Sequence, residues 1–195
     1  MNKYSSYHLI TDENLINFNR NEEELQIFWL YCGFSVQRSR AQAQKALASL
    51  LDMGEGELPF DRIRSLLERQ KLRAALEATR IGSYNRLERF LADSIFKSID
   101  FRNGTVDDFM RVHGIGNAKA RFFILNTRKG ARVAVLDRHI LSELKSLGYN
   151  VPESSPLRNT QYKRCEEYFL NEADKAATEP ARFNLSSWRK RAGIY

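Results

Sequence analysis

Cysteine and histidine are both scarce in this sequence of 195 residues. The two cysteines, Cys32 and Cys165, are too few for a four-cysteine iron–sulfur cluster or a cysteine-rich zinc site. The three histidines, His8, His113 and His139, show no metal-ligand spacing. We therefore expect no metal site and no required cofactor, and the small number of thiols suits a reducing, cytoplasmic setting.

Long apolar runs are missing as well. No stretch approaches the roughly 18 apolar residues of a membrane-spanning helix. The N-terminal segment MNKYSSYHLITDEN also has no apolar core of signal-peptide length. We expect a protein that is neither secreted nor bound to a membrane.

The charge is unbalanced toward the basic side. Lys and Arg outnumber Asp and Glu by 31 to 24, which gives a formal net charge of +7. That balance favours a polyanionic partner, although it also serves solubility alone. Candidate phosphate contacts are Arg38, Arg40, Arg86, Arg89, Arg128, Lys129, Arg132 and Arg138.

Sustained alternation of polar and apolar residues, which is typical of β-strands, is not found either. Apolar residues at helical spacing instead predict helices over about 22–32, 39–51, 60–78, 84–98, 105–112, 117–126, 138–147, 160–176 and 181–192. Asn21, Thr105 and Asp137 have the chemistry of N-caps, and Gly33 is expected to end the first helix. We predict an all-α fold in which residues 1–195 form a single unit with two helical lobes around a cleft.

A four-residue connector, His113-Gly114-Ile115-Gly116, joins two of the predicted helices. Glycine tolerates positive φ and has no Cβ, so this hairpin can bring bare backbone close to a ligand. The free N–H groups and the positive dipole end of the following helix suit a phosphate. All four residues are therefore candidate phosphate contacts, with a plain tight turn between packed helices as the alternative.

Four further motifs accompany the hairpin in order. They are Ile81-Gly82-Ser83-Tyr84-Asn85, Asn103-Gly104, Ile124-Leu125-Asn126-Thr127 and Val133-Ala134-Val135-Leu136-Asp137-Arg138-His139-Ile140. With them, residues 81–147 resemble the helix-hairpin-helix DNA glycosylases of the endonuclease III superfamily. The segment 136–141 is most similar to the compact 8-oxoguanine DNA glycosylases of archaea and bacteria.

The resemblance implies a fold, a partner and a reaction. A helix-hairpin-helix motif at about 105–126 would grip the backbone of double-stranded DNA through the hairpin. The enzyme would flip a damaged base out of the duplex and excise it, leaving an abasic site, with 8-oxoguanine as the leading substrate. We expect it to act as a monomer.

By the same resemblance, Asp137 activates the attacking nucleophile and stabilises the oxocarbenium-like sugar that forms as the base departs. The physical chemistry of a helix N-cap supports this role for Asp137. A carboxylate at a helix N-cap accepts backbone hydrogen bonds and faces the positive end of the helix, and both effects favour the ionised form. An anion beside a developing cation is what the reaction needs. A purely structural N-cap is the alternative.

One position departs from the family pattern. Relatives that also cut the DNA strand carry a Schiff-base lysine two residues after the second hairpin glycine, where this chain has Ala118. Lys119 follows one residue later, and a shift of one residue rotates a helical side chain by about 100°. We therefore predict hydrolysis without an efficient strand-cleavage step. Lys119 is a candidate nucleophile only if the helix start is re-phased, and like Arg138 it is expected to contact DNA phosphates.

A wedge and a base pocket are also expected of such an enzyme. Gln37 follows the first helix, where family members place the residue that fills the gap left by the flipped base. Phe34, Trp188 and Tyr195 are candidate pocket walls, because the compact 8-oxoguanine enzymes use their C-terminal end near the base. A surface glutamine and ordinary core packing are the respective alternatives.

Two other functions compete with repair. The same chemistry could serve antiphage defence, by removing a hypermodified cytosine such as glucosylated hydroxymethylcytosine from phage DNA. Alternatively, the chain could be a helix-hairpin-helix module that binds DNA without catalysis, since Ala118 shows one catalytic position already lost. Retention of Asp137 in its expected context argues against the second.

Overall fold

The computed structural model describes residues 3–4, 10–11, 13–156 and 158–193. All regular structure in these ranges is helical and no strand occurs there, so the all-α prediction is confirmed. The helices are α1 (Glu22–Phe34), α2 (Arg40–Met53), α3 (Pro59–Glu68), α4 (Leu72–Ala78), α5 (Tyr84–Phe96), α6 (Val106–Met110), α7 (Asn117–Thr127), α8 (Arg138–Ser146), α9 (Asn159–Lys175) and α10 (Pro180–Ala192). No helix among the described residues has the length and apolar character needed to cross a membrane.

Local cap chemistry starts several of these helices where the sequence predicts. The Asn21 side chain accepts a hydrogen bond from the Glu24 N–H at 2.9 Å, and the Glu24 carboxylate accepts one from the Asn21 N–H at 2.8 Å. Thr105 and Asp108 form the same reciprocal capping box at α6. These bonds satisfy N–H groups that a helix end leaves without partners.

Gly33 does not end the first helix, and that prediction is wrong. Helix α1 continues through Phe34, and Ser35 is its C-cap. A Cβ built on Gly33 would lie only 2.2 Å from Cε1 of Phe90 in α5. Glycine is needed here because α1 and α5 pack closely, which the local sequence does not reveal.

The single helix predicted over 60–78 is in fact two. Helices α3 and α4 are separated by a turn at Gln70, which has a φ of +54°. The Lys71 N–H donates to the Leu66 carbonyl at 2.8 Å and closes this turn. A left-handed residue at a helix C-terminus is usually glycine, so a glutamine here gave no sequence signal.

The chain packs into two compact units. The first contains the described residues up to Leu15 and from Asn19 to Ile115, and the second contains Ile16–Phe18 and the described residues from Gly116 onward. The division after Ile115 falls within the hairpin connector. That residues 1–195 act as one functional domain stays a prediction.

The first unit is built around the indole of Trp29 on α1. Its ring centroid lies 5.2 Å from that of Phe109, 5.8 Å from Phe90 and 5.9 Å from Phe101. The indole N–H is also buried, and it donates to Ser94 Oγ at 2.9 Å. Aromatic packing with a satisfied polar atom gives this unit a well-defined centre.

The core of the second unit gathers side chains from α8, α9 and the segment before α8. Leu136, Ile140 and Leu144 pack against Tyr162 and Phe169 of α9, and all are at most 1% exposed. The N-terminus of α8 is therefore held against a rigid core, and Asp137 stands at that terminus.

Candidate active site

Asp137 is the N-cap of α8, as predicted. Its Oδ1 accepts hydrogen bonds from the N–H groups of His139 at 2.9 Å and Ile140 at 3.0 Å. The side chain is half-buried, and within the described part of the chain Oδ2 accepts no hydrogen bond. One carboxylate oxygen is thus fixed by the positive end of a helix, while the other remains available to an incoming group.

The segment Val133–Asp137, which we call the strap, leads into α8 and ends at Asp137. It has no regular secondary structure and pairs with no strand among the described residues. The Val135 carbonyl accepts from the Asp137 N–H at 3.0 Å. Side chains of α9 bond three of its backbone groups: Glu166 accepts from the Ala134 N–H at 2.8 Å, and the Tyr162 hydroxyl bonds both Ala134 and Leu136. Neither side chain was singled out from the sequence, because no local pattern connects them to the strap.

Ala118 and Lys119 lie in the first turn of α7. The helix begins at Asn117, directly after the second hairpin glycine, so its start is not re-phased relative to the prediction. Ala118 packs against the cluster that contains Val135 of the strap. The Lys119 ammonium lies 5.2 Å from the centroid of the Phe122 ring. The two side chains therefore occupy different positions around the helix.

A side chain of α5 hydrogen-bonds to the backbone of the hairpin. The Asp93 carboxylate accepts a hydrogen bond from the His113 N–H at 2.8 Å and one from Lys97 Nζ at 2.7 Å. Burial alone would raise the pKa of Asp93, but these hydrogen bonds and charges lower it. Ile115 is only 5% exposed, and its N–H donates to the Val112 carbonyl at 3.1 Å. Sequence reasoning missed Asp93, which is separated from His113 by 20 residues.

The two hairpin glycines serve different purposes. Gly114 has a φ of +81°, and a Cβ there would lie 3.3 Å from the Arg86 side chain, so its conformation favours glycine. Gly116 has a φ of −103°, which any residue adopts, and a Cβ there would meet nothing within 4 Å. Gly116 is the exposed N-cap of α7, with no side-chain cap bond. The N-terminus of α7 therefore lacks a side-chain cap, and such a terminus suits an external acceptor.

Some of the predicted phosphate contacts are used inside the chain. Arg86 Nη2 donates to the Gly33 carbonyl at 3.0 Å, and Arg38 Nε donates to the Ile81 carbonyl at 2.9 Å. Burial and the nearby charge of Arg38 lower the pKa of Arg86. Arg138 is exposed beside Asp137, and its Nε donates to Nε2 of His139 at 3.4 Å. Contact of these arginines with DNA stays a prediction.

The predicted wedge and pocket residues are placed in different surroundings. Gln37 is exposed in the turn between α1 and α2, with a φ of +56°. Phe34 is 0% exposed in the core of the first unit, so its ring offers no accessible surface there. Trp188 is half-buried and contacts His139 edge to face, with 5.6 Å between ring centroids. Tyr195 lies outside the described residues, and the wedge and pocket roles stay predictions.

Metal-binding groups are few among the residues that the structure describes. There, no three His, Cys, Asp or Glu side chains are grouped to hold a metal ion. Cys32 and Cys165 are both buried and are not joined in a disulfide. That the protein requires no cofactor stays a prediction.

Comparison with known proteins assigns the family. The family model described as 8-oxoguanine DNA glycosylase, of the helix-hairpin-helix type, matches residues 10–178. The chain belongs to the 8-oxoguanine DNA glycosylase family. It is therefore a DNA glycosylase, and the resemblance inferred from residues 81–147 is confirmed over most of the chain. No curated protein sequence matches this glycosylase.

A solved structure shares the fold of this glycosylase. It is the Methanocaldococcus jannaschii 8-oxoguanine glycosylase/lyase in complex with a 15mer DNA containing 8-oxoguanine. The TM-score is 0.69 at 20% sequence identity, over 93% of this chain and 89% of that chain. The similarity supports the helix-hairpin-helix glycosylase fold. The family assignment also favours an enzyme over a non-catalytic binding module.

Proposed function

We propose that this DNA glycosylase excises 8-oxoguanine from double-stranded DNA by hydrolysis and leaves an abasic site without cutting the strand. Asp137 is the catalytic carboxylate. It activates the attacking water and stabilises the positive charge that develops on the sugar as the base departs. The observation that carries this proposal is the geometry of that carboxylate, which has one oxygen bonded to the N-terminus of α8 and the other unengaged within the described residues.

The substrate is inferred from relatives. The family is described by its action on 8-oxoguanine, and the solved M. jannaschii neighbour is a complex with DNA containing that base. An overall positive charge of +7 suits a polyanionic duplex. The N-terminus of α7 at Gly116 would bind a backbone phosphate, which positions the DNA without reading its sequence.

The absence of strand cleavage is inferred from the first turn of α7. Strand cleavage needs an amine that attacks the sugar and forms a Schiff base. The side chain at the family position belongs to Ala118, which packs against the cluster of Leu125, Val135 and Ala181 and has no amine. Lys119 is rotated by about 100° from that position, and its ammonium lies over the Phe122 ring. Water is then the remaining nucleophile for Asp137 to activate.

Single-turnover base release tests the proposal. The substrates are duplexes that each contain one 8-oxoguanine, alkylated purine, uracil or glucosylated hydroxymethylcytosine, and each reaction is divided between alkali and no alkali. We expect cleavage at 8-oxoguanine that is visible only after alkali. In Asp137→Asn the rate should fall by about 10²- to 10³-fold, because the carboxylate charge is lost. Asparagine is an equally good N-cap, so folding and DNA affinity should be retained.

Two matched variants serve as controls. Asp174→Asn removes a carboxylate charge from an exposed ion pair with Arg132 in the same unit, and it should leave the rate unchanged. Lys119→Ala should leave the product pattern unchanged. Cleavage without alkali that Lys119→Ala abolishes would overturn the hydrolytic mechanism. Release of glucosylated hydroxymethylcytosine in place of 8-oxoguanine would replace repair with phage defence, and a wild-type rate in Asp137→Asn would refute the role of Asp137.

A further inference from the structure

Two side chains of α9 hydrogen-bond to the backbone of the strap that leads to Asp137. Buried N–H and C=O groups outside helices usually find their partners in a neighbouring strand. No strand lies beside the strap in the part of the chain that the structure describes. Three of its backbone groups are bonded instead by Tyr162 and Glu166, which stand in for the missing strand.

Of these three bonds, the two that Tyr162 makes include the one nearest to Asp137 in the chain. Its hydroxyl donates to the Ala134 carbonyl at 3.0 Å and accepts from the Leu136 N–H at 3.1 Å. The side chain is 0% exposed. Burial raises the pKa of Tyr162, and this outweighs the lowering by the Leu136 hydrogen bond and the Arg121 charge. The hydroxyl therefore keeps its proton at neutral pH and can donate to the strap.

Glu166 connects the N-terminal part of the strap to α7 by hydrogen bonds. Its Oε1 accepts from the Ala134 N–H at 2.8 Å and from Arg121 Nε at 2.7 Å. Arg121 Nη1 donates to Asn117 Oδ1 at 2.7 Å, and Asn117 is the first residue of α7. The Arg121 guanidinium also lies 4.2 Å from the centroid of the Tyr162 ring. A network of hydrogen bonds thus joins the first turn of α7 to the strap.

We propose that Tyr162 is a positioning residue for Asp137, and that the Arg121–Glu166 pair anchors the same strap to the first turn of α7. The inference rests on the proposed catalytic role of Asp137. The Leu136 N–H that Tyr162 accepts from belongs to the residue directly before Asp137, so loss of that bond loosens the backbone from which the carboxylate projects. The hydrogen bond from the Asp137 N–H to the Val135 carbonyl would remain. A misplacement of about 1 Å at a reacting group costs on the order of 10²-fold in rate.

Tyr162→Phe tests the proposal in the full-length enzyme. The variant retains the ring, its packing and its contact with Arg121, and it loses only the hydroxyl. At saturating enzyme, the single-turnover rate constant for base release should fall by about 10- to 100-fold. The enzyme concentration that gives half the maximal rate should stay within about twofold, since the strap is not the proposed DNA contact.

Tyr149→Phe is the matched control. Tyr149 is half-buried on the core of the same unit, and its hydroxyl donates to Glu172 of α9 at 2.6 Å. The variant loses one phenolic hydroxyl and one hydrogen bond to α9, but none to the strap. Its rate constant should equal that of the wild type. All rates are measured well below the unfolding temperatures found by circular dichroism, so a smaller folded fraction cannot mimic the effect.

A second variant covers the case in which Tyr162→Phe does not fold. The double variant Arg121→Met/Glu166→Gln retains an oxygen for the Ala134 N–H, leaves no isolated buried charge, and removes the hydrogen bonds that connect the strap to Asn117. It should lower the rate constant without changing the half-saturating concentration. Equal effects in Tyr162→Phe and Tyr149→Phe, or losses confined to DNA binding, would overturn the proposal. If Asp137→Asn is inactive while Tyr162→Phe is fully active, only the positioning role fails; if Asp137→Asn is fully active, the proposed function itself fails.

Discussion

Replacing Arg121 by methionine should sharply destabilise the second unit. The Arg121 and Glu166 side chains are only 6% and 12% exposed, and they share two hydrogen bonds of 2.7 and 3.3 Å. Methionine fills much of the space of the arginine stem but leaves the Glu166 carboxylate buried. Within the described residues, its remaining hydrogen bond is then the one from the Ala134 N–H.

The size of the expected loss in stability follows from the burial of the Arg121–Glu166 ion pair. Removing one partner of a buried ion pair costs about 3–5 kcal/mol, because the other charge stays desolvated without compensation. The total stability of a domain is about 5–15 kcal/mol, so this is a large share. The pair of Arg132 with Asp174 also shares two hydrogen bonds, of 2.7 and 2.8 Å, but its side chains are 55% and 53% exposed. Arg132→Met should cost no more than about 1 kcal/mol.

Urea unfolding followed by circular dichroism compares the two variants. Arg121→Met should lose at least about 2 kcal/mol more than Arg132→Met, which is the difference between the buried and exposed estimates. Adding Glu166→Leu to Arg121→Met should restore part of the loss, since the isolated charge is gone. Recovery should be incomplete because the Ala134 N–H then lacks its acceptor. Equal losses in the two single variants would refute the argument from burial.

Two further predictions concern the hairpin and α8. Gly116→Ala should lower the free energy of unfolding by no more than about 1 kcal/mol, because alanine is a poorer N-cap than glycine while the added methyl group enters open space. It should nevertheless weaken DNA binding measured by fluorescence anisotropy, and unchanged affinity would show that the backbone there does not approach a phosphate. For Glu143, burial would raise the pKa, but hydrogen bonds from Lys190 and Arg191 lower it below the usual 4.5. A lowered carboxyl pKa stabilises the fold above the unfolded pKa, and this stabilisation is lost as pH falls. The gap in melting temperature between wild type and Glu143→Gln should therefore narrow between pH 6 and about pH 3, and a constant gap would contradict the ion pairing.

Features that depend on neighbours within a few residues were predictable from the sequence. Asn21, Thr105 and Asp137 cap their helices because the cap side chain and the N–H groups that it satisfies lie within three residues of each other. The positive φ of Gly114 follows from the tight hairpin in the same way. The motifs at 81–147 also predicted the family, since they are themselves local.

Features that depend on contacts between distant segments required the tertiary structure. Gly33 continues a helix because Phe90 packs against it, and the turn at Gln70 forms at a residue whose type does not favour it. Glu166 reaches Arg121 across 45 positions and Ala134 across 32. Local chemistry therefore determined that Asp137 caps a helix, whereas only the packing of α9 decided where the strap holds that carboxylate. A buried backbone group accepts whichever partner the fold brings to it, and the sequence around that group does not encode the partner.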